Sequence, residues 1–306
     1  MTAPYATVIE HVKAAGAYSA GIVRAHPVPD AEMARLQEWR RRGCHADMQW
    51  IERNDALRRD PRLLLDGARS MIVCLFNYHT PDDLPDRPAP RIAAYARGRD
   101  YHIFVRERLA PVCQWLADTY GGLTRICTDS APLRERYWAR EAGLGFCGRN
   151  GQLTVPGAGA AFFIATILWT GESDTYSEPY SGPGCGTCRR CIDACPTHAL
   201  RGDGTLDCRR CLSYLTIESR TDIPADIPLD GNLFGCDACR LACPHAHAAP
   251  LTLLPEMLTT HPAAQLTLDD CLALGTAAFR RLTAASPLAR VRLPHLKATA
   301  LRLKNP

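Results

Sequence analysis

The chain has 306 residues, with 36 Lys and Arg against 32 Asp and Glu, 46% hydrophobic residues and 15 cysteines. So much apolar material excludes a disordered chain and allows a sizeable core with two domains, and the cysteine density is below that of a disulfide-built mini-protein. The odd cysteine count argues against a fully paired disulfide framework, and residues 1–16 lack a basic and apolar leader, so the expected setting is the reducing cytoplasm, where clustered cysteines bind metal.

Residues 1–70 read as helical: 6–15 carries an apolar stripe, and 31–42 is a charged amphipathic stretch that stops at Gly43. Met71-Ile72-Val73-Cys74-Leu75-Phe76 has the unbroken apolarity of a buried strand. The proline-rich stretch 81–90 must be a loop. Residues 106–120 have helical period and stop at Gly121-Gly122, 124–127 suits a strand, 132–142 a helix capped by Gly143, and 161–169 a second buried strand. The apolar run 158–169 is about half a bilayer span, so no membrane anchor is expected. Strands alternating with helices indicate a layered domain over residues 1–172. Composition then changes: residues 181–244 are dominated by Cys, Arg, Gly and Asp and cannot fold on apolar burial alone. A second domain is expected over 173–250. Residues 251–306 form a basic helical C-terminal segment, with helices near 266–274 and 277–285.

The C-terminal stretch 271–306 holds seven basic residues, Arg280, Arg281, Arg290, Arg292, Lys297, Arg302 and Lys304, and no Asp or Glu. Lys13, Lys297 and Lys304 are the only lysines in the chain. That bias fits a GC-rich genome as well as a guanidinium surface suited to phosphate.

Cys185-x2-Cys188-x2-Cys191-x3-Cys195-Pro196 matches the bacterial ferredoxin run for [4Fe–4S] sites, and Cys236-x2-Cys239-x3-Cys243-Pro244 is an incomplete second copy. Spacings of two let three thiolates of one turn reach three corners of a cubane, while the fourth points toward the other cluster. One cluster is therefore expected on Cys185, Cys188, Cys191 and Cys243. The other takes Cys195, Cys236, Cys239 and either Cys208 or Cys211, which spacing alone does not separate. Paired C-x2-C motifs also hold zinc, but zinc needs neither the triple spacing nor the prolines. Cys74, Cys113, Cys127 and Cys271 read as small apolar core groups, and Cys44 and Cys147 as inert. Gly143-x-Gly145-x-x-Gly148 follows a helix rather than a strand, so no Rossmann dinucleotide site is expected.

Two clusters make a one-electron wire, so the chain is either an enzyme whose large first domain holds the reducing centre or a ferredoxin-type carrier. Several stretches resemble the epoxyqueuosine reductases. They are His45-Ala46-Asp47-Met48-Gln49-Trp50, Tyr95-Ala96-Arg97-Gly98-Arg99-Asp100-Tyr101-His102, Asp129-Ser130-Ala131-Pro132-Leu133-x-Glu135-Arg136, Glu141-Ala142-Gly143-Leu144-Gly145-Phe146 and Cys211-Leu212-Ser213-Tyr214-Leu215-Thr216-Ile217-Glu218. The resemblance implies an α+β fold: a nitroreductase-like cobalamin-binding domain, a ferredoxin-like domain with two [4Fe-4S] clusters and a short helical C-terminus, akin to corrinoid reductive dehalogenases. It implies reduction of epoxyqueuosine to queuosine at the tRNA wobble position, by cobalamin fed from the clusters; the electron donor is unidentified, and nothing in the sequence demands more than a monomer. It also implies Cys211 as the eighth ligand. A reductive dehalogenase of a small organohalide is the rival enzyme.

By the same resemblance Asp129 is the proton donor, and a carboxyl shielded beside a corrin is expected to be partly neutral at pH 7. The alternative is an N-cap on a helix beginning near Pro132. Arg97, Arg99, Tyr101 and His102, read as a loop, are assigned to corrin side chains or anticodon nucleotides. Arg58 and Asn150 are further corrin contacts, and Ser213 and Asp237 are expected to hydrogen-bond cofactor or cluster sulfur. Gly151 replaces a side chain in the family's polar pair. Longer members carry a C-terminal helical-repeat extension, so here the basic stretch is expected to carry more of the tRNA grip. Eight thiolates on two [4Fe–4S]²⁺ cores add about −4 and offset the formal charge of +4, which leaves the placement of the arginines to attract tRNA.

Overall fold

The computed structural model describes residues 2–84 and 88–305; residues 85–87 of the proline-rich loop lie outside the described residues. Four strands, β1 (Ser19–Arg24), β2 (Ser70–Asn77), β3 (Thr124–Thr128) and β4 (Phe162–Trp169), form the main sheet in the order β1-β2-β4-β3, antiparallel throughout. Helices α1 (Tyr5–Ala14), α2 (Asp30–Arg41), α3 (Tyr101–Tyr120) and α4 (Glu135–Glu141) cover it. All eight residues of β2 are buried because both faces are covered, which explains its unbroken apolar run. Ile72, Cys74 and Phe76 face α1 and α3 with Phe104 and Leu109, whereas Met71, Val73 and Leu75 meet Met33 of α2 and Trp138 of α4. Truncating a fully buried ring such as Phe76 or Trp138 to alanine would cost about 3–5 kcal/mol.

Three differences from the sequence reading concern the site. The helical reading of residues 1–70 missed β1, whose small Ala20 and Gly21 give a weak apolar signal. A Cβ at Gly21 would lie 2.4 Å from the Ala142 carbonyl oxygen, so α4 packs against that bare backbone. Helix α3 begins five residues before the expected 106, because Asp100 caps it by accepting a hydrogen bond from the His102 N–H at 2.9 Å. Tyr101 and His102 therefore stand in the first turn of a helix and not in a loop. Helix α4 begins at Glu135 and not at Pro132, because the chain turns tightly from Asp129 through Leu133.

The cysteine-rich region has three one-turn or near one-turn helices, α5 (Arg190–Asp193), α6 (Leu212–Ile217) and α7 (Ala238–Leu241), each beside a cysteine loop. Beyond it, α8 (Leu268–Ala273), α9 (Thr276–Leu282) and α10 (Leu293–Lys304) share a core with Ile92, Ala96, Leu233 and Phe234. Arg91–Ile92 pairs in parallel with Asn232–Phe234, stitching the first domain to the cysteine-rich one. No helix among the described residues is long and apolar enough to cross a membrane.

Candidate active site and cluster ligands

The cysteines fall into two sets of four. Cys191 feels the charges of Cys185, Cys243 and Cys188, and Cys243 those of Cys185 and Cys188. Separately, Cys239 feels Cys236, Cys211 and Cys195, and Cys236 feels Cys211 and Cys195. This is the crossed arrangement expected of a two-cluster ferredoxin fold, with Cys195 and Cys243 exchanged between the runs. Cys211 stands in the second set, whereas Cys208 lies against Cys44, whose carbonyl accepts its N–H at 2.8 Å. Burial and neighbouring thiols push Cys236 up to about 12 and Cys239 far above the usual thiol range. Thiols gathered in this way are good ligands for a cation-rich cluster, which removes their protons. Backbone donors already face the sulfurs: the Arg149 N–H donates to Cys185 Sγ at 3.4 Å and the Ala199 N–H to Cys195 Sγ at 3.3 Å. The donor set thus fits two [4Fe–4S] groups.

A buried charge network locks the second set to the sheet domain. Asp83 accepts from Arg97 at 3.0 Å, from Arg240 and from His79 at 3.0 Å. Burial alone would raise the Asp83 carboxyl, yet its bonds to His79 and Arg240 hold it far below the usual range. Arg240 also donates to Asp237 at 3.0 Å, and the other Asp237 oxygen accepts the Ala94 N–H at 2.7 Å. Beside the network lies a cavity of about 380 Å³ whose wall includes Arg91, Arg97, Asn232, Cys236 and Asp237.

Asp129 follows the last residue of β3 with φ of +50°, a left-handed conformation that aspartate tolerates. Three groups hold it. Its N–H donates to Glu135 at 2.6 Å, His102 Nε2–H donates to its carboxylate at 3.0 Å, and Tyr101 hydrogen-bonds the same carboxylate. The other ring nitrogen of His102 donates to Asp100 at 2.8 Å, and Tyr101 lies flat on Phe163 of β4, centroids 4.3 Å apart. Burial opposes the charged imidazole, but Asp100 and Asp129 raise His102 to about 9. Burial would raise Asp129 too, yet the His102 bond and charge outweigh it and keep the carboxyl below the usual range. Without a corrin over it the Asp129 side chain is 60% exposed, and its pairing with His102 favours the carboxylate and the charged imidazole. Asp129 does not cap α4; the Glu135 side chain instead caps the Asp129 turn. Burial and the Asp129 charge push Glu135 up to about 8, so it is largely protonated at neutral pH.

Tyr95 links this group to the second cysteine set. Its phenol is raised by burial and by the charges of Asp129, Glu218 and Asp237, which come from the sheet domain, the α6 region and the cysteine loop. Arg290 of the C-terminal segment reaches the same place: it forms a two-pronged pair with Glu218 at 2.8 and 2.6 Å and feels Asp129 and Tyr95.

The remaining sequence-predicted residues are more dispersed. Arg97 is buried in the Asp83 network, and Arg99 pairs with Glu107 on the surface. Arg58 is buried against Asp55 and the Trp50 carbonyl. Asn150 Nδ2–H donates to the Cys239 carbonyl at 3.4 Å, and the Ser213 side chain bonds the Cys211 thiol. Arg302, expected to face tRNA, instead donates to the carbonyls of Ile223, Pro224, Ala225 and Ile227, and Lys304 pairs with Asp269. Sequence reasoning missed Asp83, Tyr95, Glu135, Glu218 and Arg240 as site residues. Tyr95, Glu135 and Glu218 were inside the quoted motifs; Asp83 and Arg240 carried no local signal.

A layered α+β domain joined to two four-cysteine sets, with a carboxylate and an imidazole held at the junction, defines an iron–sulfur oxidoreductase. Residues 58–130 match the family described as Epoxyqueuosine reductase QueG, DUF1730, and residues 184–246 match the 4Fe-4S double cluster binding domain. The epoxyqueuosine reductase of Gloeobacter violaceus is 33% identical over 307 aligned positions, covering 97% of this chain and 95% of that one. That of Cyclobacterium marinum is 38% identical over 219 residues, 70% of each chain. The chain belongs to the epoxyqueuosine reductase family. Among solved structures, an epoxyqueuosine reductase with a tRNA-Tyr epoxyqueuosine-modified stem loop superposes with a TM-score of 0.86 at 26% identity, over 97% of this chain and 79% of that one. The Bacillus subtilis enzyme, with its catalytic aspartate loop swung out of the active site, matches at 0.84 and 25% identity, over 97% and 79%.

Proposed function

We propose that this chain reduces epoxyqueuosine to queuosine at the wobble position of tRNA, and that Asp129 with His102 delivers the proton. The reaction takes two electrons and two protons; both epoxide C–O bonds break, a C=C bond forms and the oxygen leaves as water. The observation that carries this reading is the His102–Asp129 pair at 3.0 Å, on a turn fixed by Glu135 and beside Tyr95, which also feels the charge of Asp237 next to Cys236. His102 stores a proton at neutral pH, Asp129 presents it to the leaving oxygen, and the Asp100 bond restores the imidazole to one orientation. The aspartate loop swung out in the Bacillus subtilis relative supports a turn that closes on the substrate.

Cobalamin, when bound, supplies the strongly reducing centre. Arg91, Arg97, Asn232 and Asp237 in the otherwise largely apolar wall of the cavity beside Cys236 would offer polar partners to the amide arms of a corrin, with Arg97 and Asp237 held there by the Asp83 network. Asn150 and Ser213 steady the second cluster, and Arg58 holds the turn after Trp50. Arg290, with Arg280, Arg281 and Arg292 exposed beyond it, offers the phosphate-binding face. A tRNA substrate suits the cytoplasm. The test is anaerobic incubation of the reconstituted, reduced enzyme with epoxyqueuosine-containing tRNA. Nucleosides lighter by one oxygen atom are expected; unchanged nucleosides with full cluster and cobalamin loading would refute the reading.

A further inference from the structure

The segments around the two cysteine sets differ in exposure, although each set has one buried and three half-buried thiols. Around the second set, Leu212, Tyr214, Leu215, Phe234 and Gly235 are buried. Around the first, Gly184, Gly186, Thr187, Arg189 and Arg190 are exposed. The Cys185–Cys191 loop is therefore the more exposed approach for a protein donor. A [4Fe–4S] cluster on four thiolates is an anion, so a bare loop would repel an acidic carrier. Here two consecutive arginines stand between Cys188 and Cys191, with the Arg189 side chain 61% exposed. A third, Arg149, backs the loop by donating to the Gly186 carbonyl at 2.8 Å. The acidic side chain within the motif, Asp193, is engaged by Arg189 at 3.6 Å. Next to this positive rim, Pro183 is exposed and Tyr180 half-buried, its ring tilted against Phe146. Together they place an apolar patch beside the rim.

We propose that this loop is the docking site of an acidic flavodoxin-type protein, and that it is the entry point for the electrons of the reaction. Each docking oxidises an anionic flavin hydroquinone to the neutral semiquinone, reduces the first cluster by one electron and moves no proton. Two dockings supply the two electrons that the epoxide consumes. The inference rests on the two-cluster reading above, so iron content is measured alongside it.

The test titrates a purified bacterial flavodoxin into the reconstituted protein at several salt concentrations, and follows cluster reduction by flavodoxin hydroquinone and, separately, by dithionite. For the Arg189→Glu/Arg190→Glu variant the expected result is binding weaker by about tenfold or more and a flatter salt dependence, with dithionite reduction unchanged. Asp193→Asn should tighten binding by about two- to threefold, a gain that misfolding cannot mimic. Failure of the wild type to bind flavodoxin, or equal binding by the charge-reversed variant, would overturn the proposal. Slower dithionite reduction in that variant would also overturn it, since the arginines would then set the cluster potential rather than dock a partner. Wild-type protein with far fewer than about eight irons would instead overturn the cluster reading beneath it.

Discussion

The Asp129 N–H donates to the Glu135 side chain at 2.6 Å, and this bond fixes a non-glycine residue in left-handed backbone at the edge of the active site. Such a conformation costs on the order of 1 kcal/mol or more and persists only where its surroundings hold it. Glu135→Ala should release the turn and lower kcat by about ten- to a hundredfold with little change in cluster content. Glu135→Gln keeps the acceptor oxygen and resembles the protonated acid, so it should stay within about threefold of wild type at neutral pH. Steady-state kinetics on the two variants check this.

The proton on His102 sets a pH dependence. Because its folded value is raised to about 9, the His102–Asp129 pair is complete below the ordinary imidazole range and is lost as pH rises through about 9. Turnover should therefore fall on the alkaline side near that value. His102→Gln should lower the rate and remove that limb, which a pH–kcat profile of both proteins would show.

The eighth ligand is a choice between Cys208 and Cys211. Cys211 shares its surroundings with Cys195, Cys236 and Cys239, while Cys208 faces Cys44. Cys208→Ala should keep about eight irons per chain and Cys211→Ala should lose close to half of them. Iron analysis and the cluster absorbance after anaerobic reconstitution decide between the two.

Arg240 is 2% exposed and meets Asp83 and Asp237 at once. Arg240→Ala leaves the buried Asp83 and the half-buried Asp237 short of a partner, and about 3–5 kcal/mol of stability should be lost. A denaturant titration of the variant measures it, and the change should exceed that of the surface substitution Arg99→Ala several-fold.

What the sequence disclosed depended on how locally each feature is encoded. The strands at 71–76 and 161–169 were legible because burial on both faces leaves an unbroken apolar run. β1 was not, because Ala20 and Gly21 are small so that Ala142 can approach. The proposed division of cysteines between clusters comes from spacing, since a three-residue gap turns the fourth thiol away. The start of α3 was hidden because Tyr101 and His102 are polar enough to read as loop, and only the Asp100 cap reveals a helix. Asp83 and Arg240 lie 157 positions apart, so their contact has no local signature. The contact between Asp129 and His102, which come from different elements, had no local signature either.

The most direct test of the account is Asp129→Asn in the reconstituted enzyme, assayed for conversion of epoxyqueuosine-containing tRNA in a single turnover. Asparagine keeps the shape of the turn and its bond to Glu135 but holds no transferable proton. The account predicts no queuosine formed, with iron and cobalamin loading equal to wild type. Queuosine formation at the wild-type rate would contradict it.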